Sequence, residues 1–122
     1  MNNHALNAIS PIDGRYADKA AELRPIFSER GLIRQRVRVE ALWLKALAAD
    51  AAILELRGLP AEALTALDAL AADLTDADAA EVKRIERETN HDVKAVEYFV
   101  KRRLEAVPAW RPRREFVHFA CT

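Results

Sequence analysis

Ser28-Glu-Arg-Gly-Leu-Ile-Arg-Gln-Arg-Val-Arg-Val-Glu-Ala-Leu-Trp-Leu-Lys-Ala-Leu-Ala-Ala-Asp-Ala51 is the stretch that decides the fold. Ile33, Val37, Ala41, Leu44, Ala48 and Ala51 recur at spacings of three and four, which stack side chains on one face of an α-helix. Ser28 is an N-cap type, and Glu29 after it suits the positive end of the helix dipole. Arg34, Arg38 and Lys45 fall on the other face, and Arg36 with Glu40 has the i,i+4 spacing of an exposed ion pair.

The same periodicity continues toward the C-terminus. Gly58 breaks the first pattern and Pro60 suits the first turn of a second helix, whose apolar side is Leu64, Leu67, Ala71 and Leu74. Thr75 followed by Asp78 has the form of a capping box, and Ala79, Val82, Ile85 and Glu86 extend a third helix to near Thr89. A fourth is expected to start around Asp92, taken as its N-cap, with Val93, Val96, Val100 and Leu104 on one face and Phe99 beside them. Pro108 and Pro112 then end it and shape the segment that follows.

Toward the N-terminus the pattern fades. Pro11, Asp13-Gly14 and Pro25 punctuate residues 1 to 27, where only Ala17 to Leu23 has a short helical pattern, so an ordered loop is expected. Alternating polar and apolar runs of useful length do not occur, nor do repeats. The chain therefore reads as all-α, a compact array of about four or five helices preceded by an ordered N-terminal loop.

Composition narrows the function classes. A chain of 122 residues, 51% hydrophobic and 31% charged, suits one folded domain. Nineteen Lys plus Arg balance nineteen Asp plus Glu, so no overall field draws it to nucleic acid or to an anionic membrane. The start of the chain has neither a basic n-region nor an apolar core, and no run reaches a membrane span, which points to the cytoplasm. Cys121 is the single cysteine and reads as a small buried residue, with no CxxC or His pair in sequence to suggest a metal. The apolar stretch Glu115-Phe-Val-His-Phe-Ala-Cys-Thr122 stops without cap or polar tail, as a truncated chain would.

Two polar segments could carry chemistry. In Asp13-Gly14-Arg15-Tyr16, glycine lets the backbone turn while a guanidinium and a phenol stand side by side. Arginine's planar fork grips phosphate or carboxylate, and tyrosine adds a neutral donor. The competing structural account has Asp13 starting a short helix, Tyr16 packing on the core and Arg15 in solvent. Thr89-Asn90-His91-Asp92 lies between two helical patterns, where free N–H groups and the dipole of the next helix favour a polar ligand. Asn90 offers donor and acceptor, His91 can change charge near neutrality, and Asp92 either caps the helix or accepts from a ribose hydroxyl or an amine. Such a tetrad also serves as a plain connection between helices. His118, between Val117 and Phe119, reads as a satisfied core histidine, and His4 lies in the terminus. Lys101-Arg-Arg103 with Arg111, Arg113, Arg114 and Trp110 could stack on bases, but in a neutral chain it reads better as a solvated helix end.

Ser10-Pro-Ile-Asp-Gly-Arg-Tyr16 and Thr89-Asn-His-Asp-Val-Lys-Ala-Val-Glu-Tyr-Phe99 are long, ungapped runs that resemble the bacterial type of the adenylosuccinate lyase family. Arg24-Pro-Ile-Phe-Ser-Glu29, Gly31-Leu-Ile-Arg34, Glu40 and the segment from Glu115 to Thr122 add to the resemblance, which spans nearly the whole chain. It implies the N-terminal domain of the fumarase and aspartase type of lyase fold, without the central helical bundle and C-terminal domain. The implied reaction is β-elimination of fumarate from adenylosuccinate and from succinylaminoimidazole carboxamide ribotide, with no metal and no organic cofactor. By the same resemblance Arg15 and Tyr16 hold the nucleotide end, Asn90, His91 and Asp92 form a substrate-contacting turn, and Thr122 begins a carboxylate-binding segment. No catalytic residue is implied here: the family's general acid is a histidine further along, and its base is a serine on a later mobile loop. Its sites form where subunits of a homotetramer meet, so the full-length chain is expected to be tetrameric.

Overall fold

Helix α3, Glu29–Ala49, starts where the sequence predicts, because the Ser28 hydroxyl accepts from the Gly31 N–H at 3.1 Å and so satisfies one of the first-turn donors. The computed structural model describes residues 3–121 and divides into two units, residues 1–32 and 33–122, the division falling within α3. Among the described residues every regular element is helical, as the periodicity requires.

In the first unit, α1 (Asn3–Leu6) leads through turns to a 3-10 turn, Ala21–Leu23, and a short helix α2, Arg24–Phe27. The helical pattern expected over Ala17 to Leu23 is thus realised as turns and a 3-10 turn, and the α-helix begins only at Arg24. Pro25 explains the shift, since its fixed φ and missing N–H suit a helix's first turn, and it sits there in α2. The loop is ordered by the Pro11 carbonyl, which accepts from Gly14 N at 3.2 Å and Tyr16 N at 2.9 Å. Asp13 pairs with Arg24 at 3.7 Å instead of starting a helix. Glycine is required at 14 by proximity, because a Cβ there would stand 2.8 Å from the Ala5 carbonyl oxygen. Gly31 is tighter still, with the Ile26 and Pro25 carbonyl oxygens 2.5 and 2.7 Å from a would-be Cβ.

The second unit contains most of α3, a 3-10 turn at Leu54–Leu56, α4 (Ala61–Ala72), α5 (Asp76–Thr89), α6 (Asp92–Leu104) and a 3-10 helix, Arg111–Phe116. Its core takes Ile33, Val37 and Leu44 from α3, Leu67 from α4, Val82 and Ile85 from α5, and Val96, Phe99 and Val100 from α6, all buried. Each such side chain contributes about 1.5–3 kcal/mol on burial, which is why the apolar stripes set the packing. Ala51, predicted on the α3 stripe, lies past the helix end and is exposed. Trp110 is fully buried and donates its indole N–H to the Ala63 carbonyl at 2.9 Å, tying the segment after α6 to α4. It therefore has no face to offer a nucleic-acid base.

The basic cluster is occupied within the unit. Lys101 pairs with Glu97 and Glu115, Arg102 with Glu81, and Arg114 with Glu105, while Arg113 donates to the Glu55 carbonyl at 2.8 Å. Arg103 pairs with Asp78 and lies over the Phe99 ring. Among the described residues no helix is long and apolar enough to cross a membrane.

Asp78 completes the capping box of α5: it accepts from Thr75 N at 3.0 Å while its own N–H donates to the Thr75 hydroxyl at 3.1 Å. Burial pushes its carboxyl up, but the bonds from Thr75 and the Arg103 guanidinium outweigh this and hold it below the ordinary value of 3.8. A depressed carboxyl stabilises the fold above its unfolded value, and that contribution is lost as pH falls through the folded one. Asp78→Ala should cost about 1–2 kcal/mol in urea unfolding at neutral pH. The gap to wild type should narrow as pH drops below 3.8; a gap that stays constant would show that the charge contributes nothing.

Candidate functional site

The turn between α5 and α6 is built from two residues with opposite backbone demands. Asn90 closes α5 in the left-handed region, φ 52° and ψ 35°, with its N–H on the Glu86 carbonyl at 2.7 Å. Asparagine tolerates that conformation better than most side chains, so α5 ends here. His91 then swings to an extended conformation, φ −151° and ψ 118°, and becomes the N-cap of α6, its Nδ1 accepting from Lys94 N at 3.0 Å. The cap had been expected at Asp92, the better capping type by preference. Asn90 ends the preceding helix in time for the next to begin one residue earlier, and histidine takes the position.

This use of His91 fixes its chemistry. With Nδ1 as acceptor, the proton of the neutral ring sits on Nε2, which is then the ring's one N–H donor. The side chain is 60% exposed, and the Thr89 hydroxyl brackets its backbone, accepting from His91 N at 3.3 Å and donating to His91 O at 3.2 Å. Asp92 lies in the first turn, accepting from Val93 N at 2.8 Å and pairing with Arg36 at 2.9 Å. The Val93 bond first, and Arg36 second, hold its carboxyl below the usual range, so at neutral pH it only accepts. The expected Arg36–Glu40 pair is not formed: Arg36 turns to Asp92, and Glu40 is buried.

Arg15 and Tyr16 lie in the first unit as a stacked, exposed pair, with the guanidinium carbon 4.7 Å from the ring centroid. Tyr16 is 41% exposed, against its packing on a core, and Arg15 beside it is exposed as well. Thr122, predicted to begin a carboxylate-binding segment, lies outside the described residues.

A third constellation escaped the sequence. After the 3-10 helix the backbone takes left-handed values at His118 (φ 66°) and Ala120 (φ 60°), and Cys121 N closes on the His118 carbonyl at 3.1 Å. Trp43 holds this fold-back from α3, donating to the Phe119 carbonyl at 2.7 Å. His118 Nδ1 consequently donates to Glu40 Oε1 at 2.5 Å. One ligand atom from each of Glu40, His118 and Cys121 lies within 4.8 Å of the other two. Glu40 is 6% exposed, and its second oxygen is buried with no hydrogen-bond partner among the described residues. Cys121 is half-buried, not enclosed, and desolvation first, then the Glu40 carboxylate, pushes its thiol up. A signal for Glu40 existed: 33, 37, 40, 44 and 47 form one helical stripe, and a carboxylate in that seam has to be buried.

Two measurements check these geometries. His91→Asn keeps a strong cap acceptor and should match or exceed the wild-type melting temperature, whereas His91→Ala should lose about 1 kcal/mol; equal loss in both would deny the cap. Alkylation of Cys121 by iodoacetamide should titrate above glutathione measured alongside, and Glu40→Gln should bring the two closer. A midpoint at or below glutathione's contradicts the raised thiol.

Residues 14–122 match a protein-family model described as lyase. Over all 122 residues the chain is 53% identical to the adenylosuccinate lyase of Escherichia coli (strain K12) and 54% to that of Vibrio cholerae. It is 50% identical, over the same 122 residues, to the adenylosuccinate lyase of Haemophilus influenzae. The chain spans 27% of the length of each of these curated relatives.

Proposed function

This chain belongs to the lyase family, and from that premise we propose that it is the N-terminal part of an adenylosuccinate lyase, releasing fumarate from adenylosuccinate and from succinylaminoimidazole carboxamide ribotide by β-elimination. The observation that carries this is identity of about half, over all 122 residues, to relatives bearing that name. Supporting it, Arg15 and Tyr16 in the first segment that carries the resemblance, and Asn90, His91 and Asp92 in the second, are exposed.

β-Elimination needs a base for a weakly acidic proton beside a carboxylate, an acid for the departing nitrogen, and donors for the charge that develops. Neither proton-transfer group is assigned to these residues. Arg15 grips the phosphate of the nucleotide end, and Tyr16 holds the guanidinium plane and adds a hydroxyl. Asn90 supplies an amide, and His91 donates from Nε2 to a substrate oxygen. Because Nδ1 is already a helix cap, His91 orients substrate instead of removing a proton. Asp92 accepts from a hydroxyl or amine, and Arg36 beside it offsets its repulsion of an anionic substrate. Thr122 opens a carboxylate-binding segment. Assembly as a cytoplasmic homotetramer belongs to the same proposal, and exposed apolar side chains of the second unit such as Val39 and Leu42 suit a surface covered by further helices.

That same exposed surface favours a second reading, a non-catalytic helical interaction module. Strictly monomeric behaviour of the 122-residue chain on gel filtration would count against it.

A polypeptide continuing past residue 122 should release fumarate, followed by loss of adenylosuccinate absorbance, while the 122 residues alone should not. An inactive but folded full-length protein overturns the proposal. In that protein Arg15→Ala should lower kcat/KM by about 10- to 150-fold, corresponding to about 1.5–3 kcal/mol, with the melting temperature unchanged. Unaltered kinetics would take Arg15 out of the site.

A further inference from the structure

We propose that Glu40, His118 and Cys121 form a three-ligand site for a borderline divalent transition ion such as zinc, holding the C-terminal fold-back to α3 and leaving the fourth coordination position to solvent. Carboxylate oxygen, imidazole nitrogen and thiolate sulfur are the ligand types this ion takes, and three protein ligands plus water is a common set. The three atoms already lie within 4.8 Å of one another. Tetrahedral bonds of about 2.0–2.3 Å separate ligand atoms by about 3.3–3.7 Å, so shifts of about an ångström admit the ion.

The independent sign of a missing ligand is Glu40. Its side chain is only 7% exposed, and among the described residues its one hydrogen bond stays within the cluster and its other oxygen is buried without a partner. A buried acceptor left unmatched costs about 1–3 kcal/mol, and a cation removes that cost. On binding a dication the thiol proton leaves to solvent as the sulfur–metal bond forms, and the neutral imidazole changes tautomer so that Nδ1 offers its lone pair and the ring proton sits on Nε2, so binding should tighten as pH rises. The elimination chemistry needs no metal by the resemblance, and the role of the ion is to pin residues 117–121 against α3.

The test uses the 122-residue chain freed of metal by a chelator and titrated with cobalt(II) chloride, with zinc(II) chloride as competitor. One ion per chain should bind with a thiolate-to-cobalt charge-transfer band in the near ultraviolet and visible bands of tetrahedral intensity. Zinc should bleach both and raise the melting temperature. Cys121→Ser should abolish the charge-transfer band, and Glu40→Gln should weaken binding on the order of tenfold or more, while His91→Asn leaves it unchanged. The proposal is overturned if no charge-transfer band forms up to millimolar cobalt, or if binding survives Cys121→Ser with its spectrum intact. It is also overturned if a helical, folded Glu40→Gln binds as wild type. Should Glu40→Gln fail to fold, the Cys121→Ser spectrum decides alone.

Discussion

Two helices must end and begin within two residues, and that demand at Asn90 and His91 organises the second unit. A left-handed residue costs a non-glycine side chain about 1–2 kcal/mol, tolerable for asparagine, and it spares α5 an unmatched end by placing the Asn90 N–H on Glu86. His91 then satisfies a first-turn donor of α6. With both ends closed, α5 and α6 pack side by side, burying Val82 and Ile85 with Val96, Phe99 and Val100. The polar groups left outward at the turn follow from the way the chain reverses. Structure and chemistry are therefore inseparable at His91, since the nitrogen that caps a helix determines which nitrogen can meet a ligand.

Charge in this chain is spent locally. The many arginines after α6 would look like a patch for a polyanion if read by count. Their partners are carboxylates and carbonyls of the same unit, and Arg113 and Arg103 bridge elements in place of facing a ligand. Exposed pairs of this kind contribute little each to stability, about 0–1 kcal/mol, but they neutralise the surface field. Arg36 acts similarly at the start of α6, taking Asp92 as partner and fixing that carboxylate as an acceptor.

What was legible in the sequence is what local geometry determines. The stripe of α3, the Ser28 cap, the Thr75–Asp78 box and the four longer helices depend on neighbours within a few residues. The two polar segments could be picked out by residue type, and the family resemblance supplied roles that composition could not. What stayed hidden depends on distant partners. Glu40 looked like half of a surface pair because its partner, His118, is 78 residues away. Trp110 groups by sequence with a solvated helix end, with base stacking as the alternative, because its acceptor, Ala63, is 47 residues away. The cap at His91 was missed for another reason: residue preference favoured Asp92, and the register was set by where α5 stopped.

The two tryptophans of this chain sit in contrasting surroundings, one at 37% exposure on α3 and one sealed against α4. They give the molecule a built-in pair of optical reporters. Trp43 emits from a half-wet setting, open to a soluble quencher, and registers any change in how the fold-back near Phe119 is seated. Trp110 emits from a dry one and stays dark to the quencher until the interior opens. Quenching and emission colour can thus separate loosening of that surface segment from loss of the core without a foreign label.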